Sequence, residues 1–359
     1  MIEQVITAFE NKDYKKAVKL LKPLLQESPK EPLVVLYFGK LQEVFGKYEE
    51  SEQIYRKLLR NTTIAKIVTQ ARQGLQRLEA IQQQERENAI AKATADPSNT
   101  EAGVLVLEPV TNEKKIDLAP QFAQIMQIDA YTARLTLPSR GWRLYKTGAV
   151  GQLEYYGQKL RQVGIPCFWA KLKDVQKIQL FQVNHFQAAS PKAIAVCQNQ
   201  ENQLGHLTFD WTEVEAKVLG QLPIFEDVID RDTRGKLERK TEIKEYFHFC
   251  DLHIPGRNCI LRLYDNGYQY QEGLQVASLP SHNPNRINWN YLQSFLDELL
   301  TEVLIYSDFS HFKETVLDYG EMLGKIHPHI NLFRKKNTNW DAAFHLYSAL
   351  VFIRRNEFS

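Results

Sequence analysis

The 359-residue sequence has few cysteines, almost no net charge and no apolar run of membrane-spanning length. Its four cysteines are too few and too scattered to form a disulfide framework, so we expect free thiols and a cytoplasmic protein. The 45 Lys and Arg nearly balance the 43 Asp and Glu, which argues against a general polyanion binder and leaves room only for a local basic patch. The first residues do not form a signal-peptide pattern, and the apolar run 342–353 is too short to span a bilayer.

Common catalytic motifs are also missing from the sequence. It contains no G-x-G-x-x-G after a predicted strand, no Walker A loop, no G-x-S-x-G elbow and no H-E-x-x-H pair. We therefore expect a protein that is not an enzyme and that binds neither a cofactor nor a metal.

Two N-terminal segments match each other at a spacing of 34 residues. In each segment the apolar positions step by three and four, which predicts one apolar face of a helix. Short breaks precede the two segments at residues 11–13 and 46–47. The matching pairs are Tyr14 and Tyr48, Ala17 and Ser51, Leu20 and Ile54, Leu21 and Tyr55, Leu24 and Leu58, and Leu25 and Leu59.

A 34-residue period of helix, turn and helix is typical of tetratricopeptide repeats. Residues 1–95 resemble that family at Pro29, Phe38, Gly39, Gly46, Tyr48 and Tyr55. They depart from it at Thr63, which replaces the closing proline of the second repeat, and at Pro23, which lies inside a predicted helix. We expect the apolar stripe of residues 64–81 to form a capping helix, because stacked repeats need a partner for their last apolar face.

The resemblance implies that the first helix of each repeat lines a groove for a protein partner. The candidate groove residues are then Phe9, Glu10, Leu33, Leu36, Lys40, Glu43 and Val44. The alternative is that these side chains pack against the rest of the chain.

The remaining pattern predicts an α+β multidomain protein. After the repeat (1–95) and a polar linker (96–102) come a small α/β domain (103–180), an antiparallel β-rich domain (181–285) and a C-terminal helical segment (286–359). In the α/β domain, strand 142–146, helix 150–160 and strand 167–172 form a β-α-β unit similar to half of a ferredoxin-like domain. In the β-rich domain, Asn266-Gly267 predicts a type I′ turn between two strands of a curved sheet, or of a small barrel of the pleckstrin-homology type.

Three clusters of polar residues suggest chemistry, although each also has a plain structural explanation. His248, Cys250, His253 and Cys259 resemble zinc ligands by type, but the alternation of residues 246–254 predicts a strand that separates them onto two faces. The pair His327 and His329, with His311 upstream, is either a metal or acid–base site or a turn between helices. The charged run 229–246 mixes both signs, which favours a solvated loop or docking surface over a phosphate-binding stripe.

The sequence thus predicts a non-enzymatic adaptor, scaffold or assembly factor that recognises a protein through the repeat groove. The alternative is a regulatory protein whose C-terminal body binds a small ligand or nucleotide while the repeat relays that state to a partner. The layout as a whole resembles bacterial, including cyanobacterial, repeat proteins of unassigned role.

Overall fold

A computed structural model describes residues 1–231, 237–274, 284–330, 332 and 338–356. The chain divides into two compact units, Met1–Lys92 and Ala93–Ser359. The first contains only helices, while the second combines helices with two β-sheets, which confirms the predicted α+β class. No helix among the described residues is long and apolar enough to cross a bilayer.

The N-terminal unit consists of two helical hairpins followed by a long helix, which confirms the predicted repeat and capping helix. Its helices are α1 (Ile2–Glu10), α2 (Tyr14–Glu27), α3 (Pro32–Val44), α4 (Tyr48–Asn61) and α5 (Ala65–Ala93), the last of which extends one residue into the second unit.

Small residues in the N-terminal unit allow the helices to approach one another closely. The Ser51 hydroxyl donates a hydrogen bond of 2.9 Å to the Gly39 carbonyl oxygen. The buried ring of Tyr55 lies against Gly39 of α3 and Gly74 of α5, where a Cβ atom would collide with it. The small residues Gly39 and Gly74 therefore allow α3 and α5 to pack closely against Tyr55 of α4.

The segment predicted as a linker has regular structure at both ends. Residues Pro97–Thr100 form a short 3₁₀ helix, and the Asp96 side chain accepts a hydrogen bond from the Ser98 backbone N–H at its start. The first strand of the second unit begins at Ala102. Lys171 donates a hydrogen bond to the Ser98 carbonyl oxygen, which attaches the segment to the second unit.

A three-stranded sheet begins the second unit. Strand β1 (Ala102–Leu107) lies between β2 (Arg143–Ala149) and β3 (Cys167–Lys171) and is antiparallel to both. The accompanying helices are α6 (Asn112–Met126), α7 (Ala130–Thr136), α8 (Val150–Gln162) and α9 (Leu172–Lys177). The predicted β-α-β unit is therefore present as β2-α8-β3, with β1 inserted between its two strands.

The second sheet has seven strands in the order β10-β7-β8-β9-β4-β5-β6. Its strands are β4 (Gln179–Ala188), β5 (Ala193–Gln198), β6 (Leu204–Phe209), β7 (Ala216–Arg231), β8 (Leu237–Ile254), β9 (Cys259–Tyr264) and β10 (Leu304–Tyr306). The pairs β10–β7 and β4–β9 are parallel, so the sheet is mixed where the sequence predicted an antiparallel one. Strands β10 and β6 end the sheet without pairing to each other, so the predicted barrel does not close.

The predicted hairpin at Asn266-Gly267 is wrong. Residues 265–274 contain no strand, and the backbone N–H groups of Gly267 and Tyr268 both donate to the Tyr264 carbonyl oxygen, as in a helical turn. Strand β9 instead pairs with β8 and β4, its neighbours on either side in the sheet. The local Asn-Gly preference is overridden because both edges of β9 are already occupied.

Four helices complete the second unit: α10 (Asn285–Leu299), α11 (Phe309–Val316), α12 (Gly320–Leu323) and α13 (Asn339–Asn356). Residues 341–352 of α13 are all buried, which confirms that its aromatic stripe belongs to the core. That core includes residues from Val104 to Phe352 and so crosses the boundaries predicted at 180 and 285.

Candidate functional site

Lys40 and Glu43 of α3, two of the predicted groove residues, both contact α5, and we call the surface around them the inner surface of the repeat. The Lys40 ammonium donates a hydrogen bond of 3.0 Å to Gln70 Oε1 of α5 and lies 4.6 Å from the centroid of the Tyr37 ring. Glu43 accepts hydrogen bonds from Nε and Nη2 of Arg77 at 2.7 and 2.9 Å. These contacts connect the first helix of the second repeat to the capping helix.

Glu43 is held in its ionised form by its neighbours. Burial opposes ionisation, but hydrogen bonds from Arg77 and from the Tyr55 hydroxyl outweigh it, so the pKa of Glu43 is lowered. The Tyr55 hydroxyl donates at 2.7 Å to the Glu43 carboxylate. Glu43 thus contributes to the packing of three helices in addition to lining the surface.

Positive charge exceeds negative charge around Lys40. Burial lowers the pKa of Lys40, and the nearby cations Arg77 and Lys66 lower it further, against the opposing effect of Glu43. Lys66 is exposed on the first turn of α5. The surface therefore presents three cations and two carboxylates, Glu43 and Glu10 beside Tyr37, and the excess of positive charge favours an acidic ligand over a basic one.

The other predicted groove residues differ in accessibility. Leu36 is fully buried against α4 and α5, so its side chain is not available to a ligand. Phe9 and Leu33 are half-buried, and the Phe9 ring packs edge-on against Tyr37. Glu10 and Val44 are exposed.

Sequence inspection missed the contribution of α5, because a capping helix has no assigned place in a two-repeat groove. Lys66, Gln70 and Arg77 fall at helical spacings of four and seven, which places them on one face of α5. Arg77 lies 34 residues after Glu43, the same separation as the repeat. This period could have identified α5 as a further groove-lining helix.

The second unit has a polar cleft around His248 of β8 and Asp265 after β9. His248 Nδ1 lies 3.0 Å from Asp265 Oδ2, and Nη1 of Arg286 contacts both ring nitrogens of His248. The cleft therefore brings a carboxylate, an imidazole and a guanidinium together.

Cavities of about 570 and 670 Å³ adjoin these three side chains, and both are lined by Gln221, Tyr246 and His248. Asp265 is only 6% exposed, and its Oδ1 atom is buried without a hydrogen-bond partner among the described residues. Gln293 lines the first cavity with both amide atoms buried, and its polar neighbour is the weakly hydrogen-bonding Cys250 thiol. Buried polar atoms of this kind are unusual in a folded protein and point to a missing partner such as a bound ligand or water.

The four residues considered as zinc ligands do not converge. Cys250 packs in the core on one face of β8, whereas His253 faces α13 on the other, as the predicted strand alternation requires. Burial raises the pKa of Cys250 to about 12, so this thiol stays protonated. The described part of the chain contains no group of three or more His, Cys, Asp or Glu side chains that could hold a metal ion.

A buried polar network lies where α13 crosses β8 and β9. Arg262 donates to both carboxylate oxygens of Asp251 at 2.8 and 2.6 Å, and Ser348 donates to Asp251 at 2.6 Å. His253 Nε2 is 3.0 Å from the Ser348 hydroxyl. The serine therefore lies between the aspartate and the histidine, whereas a hydrolase triad has the histidine between the other two. All four residues are buried, so the network holds α13 on the sheet.

The His-Pro-His segment belongs to the edge of the same network. Nδ1 of His327 and Nδ1 of His329 are 3.0 Å apart, and the His329 ring packs edge-on against His345. Arg262 donates to the Pro328 carbonyl oxygen. His311 lies elsewhere, near Asp308, so the three histidines of the predicted site are not together.

The described residues of the charged run 229–246 do not form the predicted loop, because they belong to the paired strands β7 and β8. Residues 232–236 lie outside the described residues. Opposite charges pair across and along the strands, as in Lys244 with Glu226 and Lys240 with Glu242. Two cations of this run therefore already have acidic partners.

Comparison with known proteins assigns only the N-terminal part. The family model described as tetratricopeptide repeat matches residues 8–63. The chain has no significant match to a curated protein or to a solved structure. The match covers α2, α3 and α4 and the end of α1, the helices whose 34-residue period is visible in the sequence. The N-terminal unit is therefore a tetratricopeptide-type repeat region, a kind of structure that serves in protein–protein interaction.

Proposed function

We propose that this protein is an adaptor or assembly factor that binds an acidic segment of a partner protein on the inner surface of its repeat region. The observation that supports this proposal best is the group of three cations, Lys40, Lys66 and Arg77, which outnumber the nearby carboxylates Glu43 and Glu10. Exposed Val44 and half-buried Leu33 and Phe9 add apolar area beside the charges. Charge at such a surface selects the partner, and apolar contacts hold it.

In this proposal residues 1–92 recognise the partner protein, and the second unit performs the assembly or regulatory role. Affinity purification with the full chain and with a chain lacking residues 1–92 tests this division. We expect partners of the full chain to be lost from the shortened one, provided that the shortened chain retains a cooperative melting transition. Retention of all partners by a folded, shortened chain would contradict the proposal.

A second candidate function is the binding of a small ligand in the cleft beside His248. It is supported by the unpartnered Asp265 Oδ1, which requires a hydrogen-bond donor, and by the buried amide of Gln293 in the adjoining cavity. A nucleoside or nucleotide has hydroxyl groups that can donate to a carboxylate and a base edge that can pair with an amide, so its chemistry suits these two groups.

Melting curves with added nucleosides and nucleotides test this candidate. We expect a ligand to raise the melting temperature of the natural protein and to lose that effect in Asp265→Asn. A shift that persists unchanged in Asp265→Asn would place the ligand elsewhere, and the absence of any shift would leave only the adaptor function.

A further inference from the structure

We propose that the surface formed by the start of α6 and by α7 binds the headgroup region of an anionic membrane. This surface belongs to the three-stranded half of the second unit and is independent of the repeat region. It combines exposed apolar side chains with cations that have no acidic partner, and these two properties together are those of interfacial membrane-binding surfaces.

The apolar part consists of Ile116, Tyr131 and Leu135, whose exposed fractions are 59%, 73% and 60%. Tyr131 and Leu135 are four residues apart on α7, so they lie on one side of that helix. Ile116 follows Lys115, and the Lys115 ammonium donates a hydrogen bond to the Ser139 hydroxyl just beyond α7. The start of α6 and the end of α7 are therefore neighbours.

The cationic part surrounds these side chains. Burial lowers the pKa of Lys115, and the nearby cations Arg143 and Arg134 lower it further. Arg143 is held in place by a hydrogen bond of 3.1 Å to the Leu135 carbonyl oxygen. Crowding of like charges is unfavourable in the free protein and is relieved by an anionic partner.

Three acids lie close to the cluster in sequence, and among the described residues none of them forms an ion pair with its cations. Asp129 accepts the Thr132 N–H at the start of α7, and backbone and Thr111 hydrogen bonds lower the pKa of Glu113 at the start of α6. The third acid, Asp117, is exposed next to Ile116. Within the part of the chain that the structure describes, Lys115, Arg134 and Arg143 likewise have no carboxylate partner.

A membrane fits this surface better than a nucleic acid does. Nucleic-acid binding requires cations and polar groups along phosphates, with aromatic rings for stacking, and it gives no role to exposed isoleucine and leucine. An anionic bilayer takes up both kinds of side chain, because the cations meet the lipid phosphates while Ile116, Tyr131 and Leu135 enter the interface. Binding through one small patch is expected to be weak, reversible and sensitive to salt.

Vesicle co-sedimentation with the full chain tests the proposal. The vesicles contain phosphatidylcholine alone or phosphatidylcholine with phosphatidylserine. We expect binding only to the second kind and a loss of about tenfold or more in affinity for Lys115→Glu combined with Arg134→Glu, because each cation near such a surface contributes on the order of a factor of five. Tyr131→Ser combined with Leu135→Ser should also weaken binding, although the charge is unchanged.

Matched controls are Lys159→Glu on the exposed side of α8 and Leu204→Ser on β6, whose side chain is 63% exposed. Both should bind vesicles as the natural protein does. Equal binding to the two kinds of vesicle, or undiminished binding by the folded charge variant, would overturn the proposal. A third result would also overturn the proposal. In it, single-stranded RNA binds tightly to the natural protein and loses affinity for the charge variant, while the variant with Tyr131→Ser and Leu135→Ser binds vesicles and RNA as the natural protein does.

Discussion

Glu43 of the second repeat and Arg77 of the capping helix are joined by two hydrogen bonds of 2.7 and 2.9 Å. The Glu43 side chain is 13% exposed, whereas that of Arg77 is 50% exposed, so the carboxylate is the enclosed partner. The pair extends the inner surface of the repeat from α3 onto α5. It also means that Glu43 cannot be changed without affecting how the helices pack.

We predict that Glu43→Gln destabilises the N-terminal unit by about 1–2 kcal/mol, because a charge-assisted hydrogen-bonded pair and the acceptor of the Tyr55 hydroxyl are weakened together. Urea unfolding followed by circular dichroism measures the change. The control is Glu52→Gln, which removes an exposed ion pair with Arg56 within one helix and should cost well under about 1 kcal/mol. Equal losses in the two variants would show that Glu43 has no special structural role.

The stability provided by Glu43 should also depend on pH. Its pKa is lower in the folded protein than in the unfolded chain, so its contribution is present above the unfolded value of about 4.3 and is lost as the pH falls through the folded value. The Glu43→Gln variant should therefore lose less stability than the natural protein between neutral and strongly acidic pH. An identical acid dependence would show that Glu43 is not linked to folding.

Gly267→Val should destabilise the second unit, although not for the reason that the Asn-Gly pattern indicates. A Cβ atom at residue 267 would collide with the ring of Tyr264, and overpacking of this kind typically costs about 1–3 kcal/mol. Gly267→Ala should share the effect because the collision begins at Cβ. Gly205→Ala is the control, since a Cβ there meets nothing within 4 Å. If only the valine variant were destabilised, backbone conformation and not the Tyr264 ring would be the cause.

Acidification should loosen the contact between α13 and the sheet through His253. Burial lowers the pKa of His253 to about 4, so folding favours the neutral ring. The stability that this provides is complete above the unfolded pKa of about 6.5 and declines as the pH falls toward 4, by up to about 3 kcal/mol. Unfolding free energies at pH 7 and 4.5 measure the loss, and His253→Gln should reduce it. His206→Gln, at an exposed position on β6, should leave the pH dependence unchanged.

The repeat could be predicted from the sequence because its period, breaks and small residues all lie within 34 residues of one another. The same holds for β2-α8-β3, whose elements follow each other along the chain. By contrast, the network of Asp251 and Ser348 joins residues 97 positions apart, and no local sequence pattern predicts such a contact. The hairpin at Asn266 failed for a related reason, because the preceding strand β8 and the distant strand β4 already occupy both edges of β9.

The polar cleft was also beyond local inference. His248 stands out in the sequence only as a possible zinc ligand beside Cys250, whereas its actual partner Asp265 lies 17 residues away across a strand pairing. Arg286 comes from a helix 38 residues from His248. Only the register of β8 with β9 brings these groups together.

The most direct test of the adaptor function is quantitative capture of partner proteins by the full chain and by two charge-reversal variants. Lys66→Glu changes an exposed cation close to Lys40 on the inner surface, and Lys57→Glu makes the same change at an exposed position of α4. Surface changes of this kind normally alter stability by within about 0.5 kcal/mol, so both variants should melt as the natural protein does. The account predicts that Lys66→Glu loses the partners captured by the natural protein while Lys57→Glu retains them. Equal capture by all three proteins would contradict it.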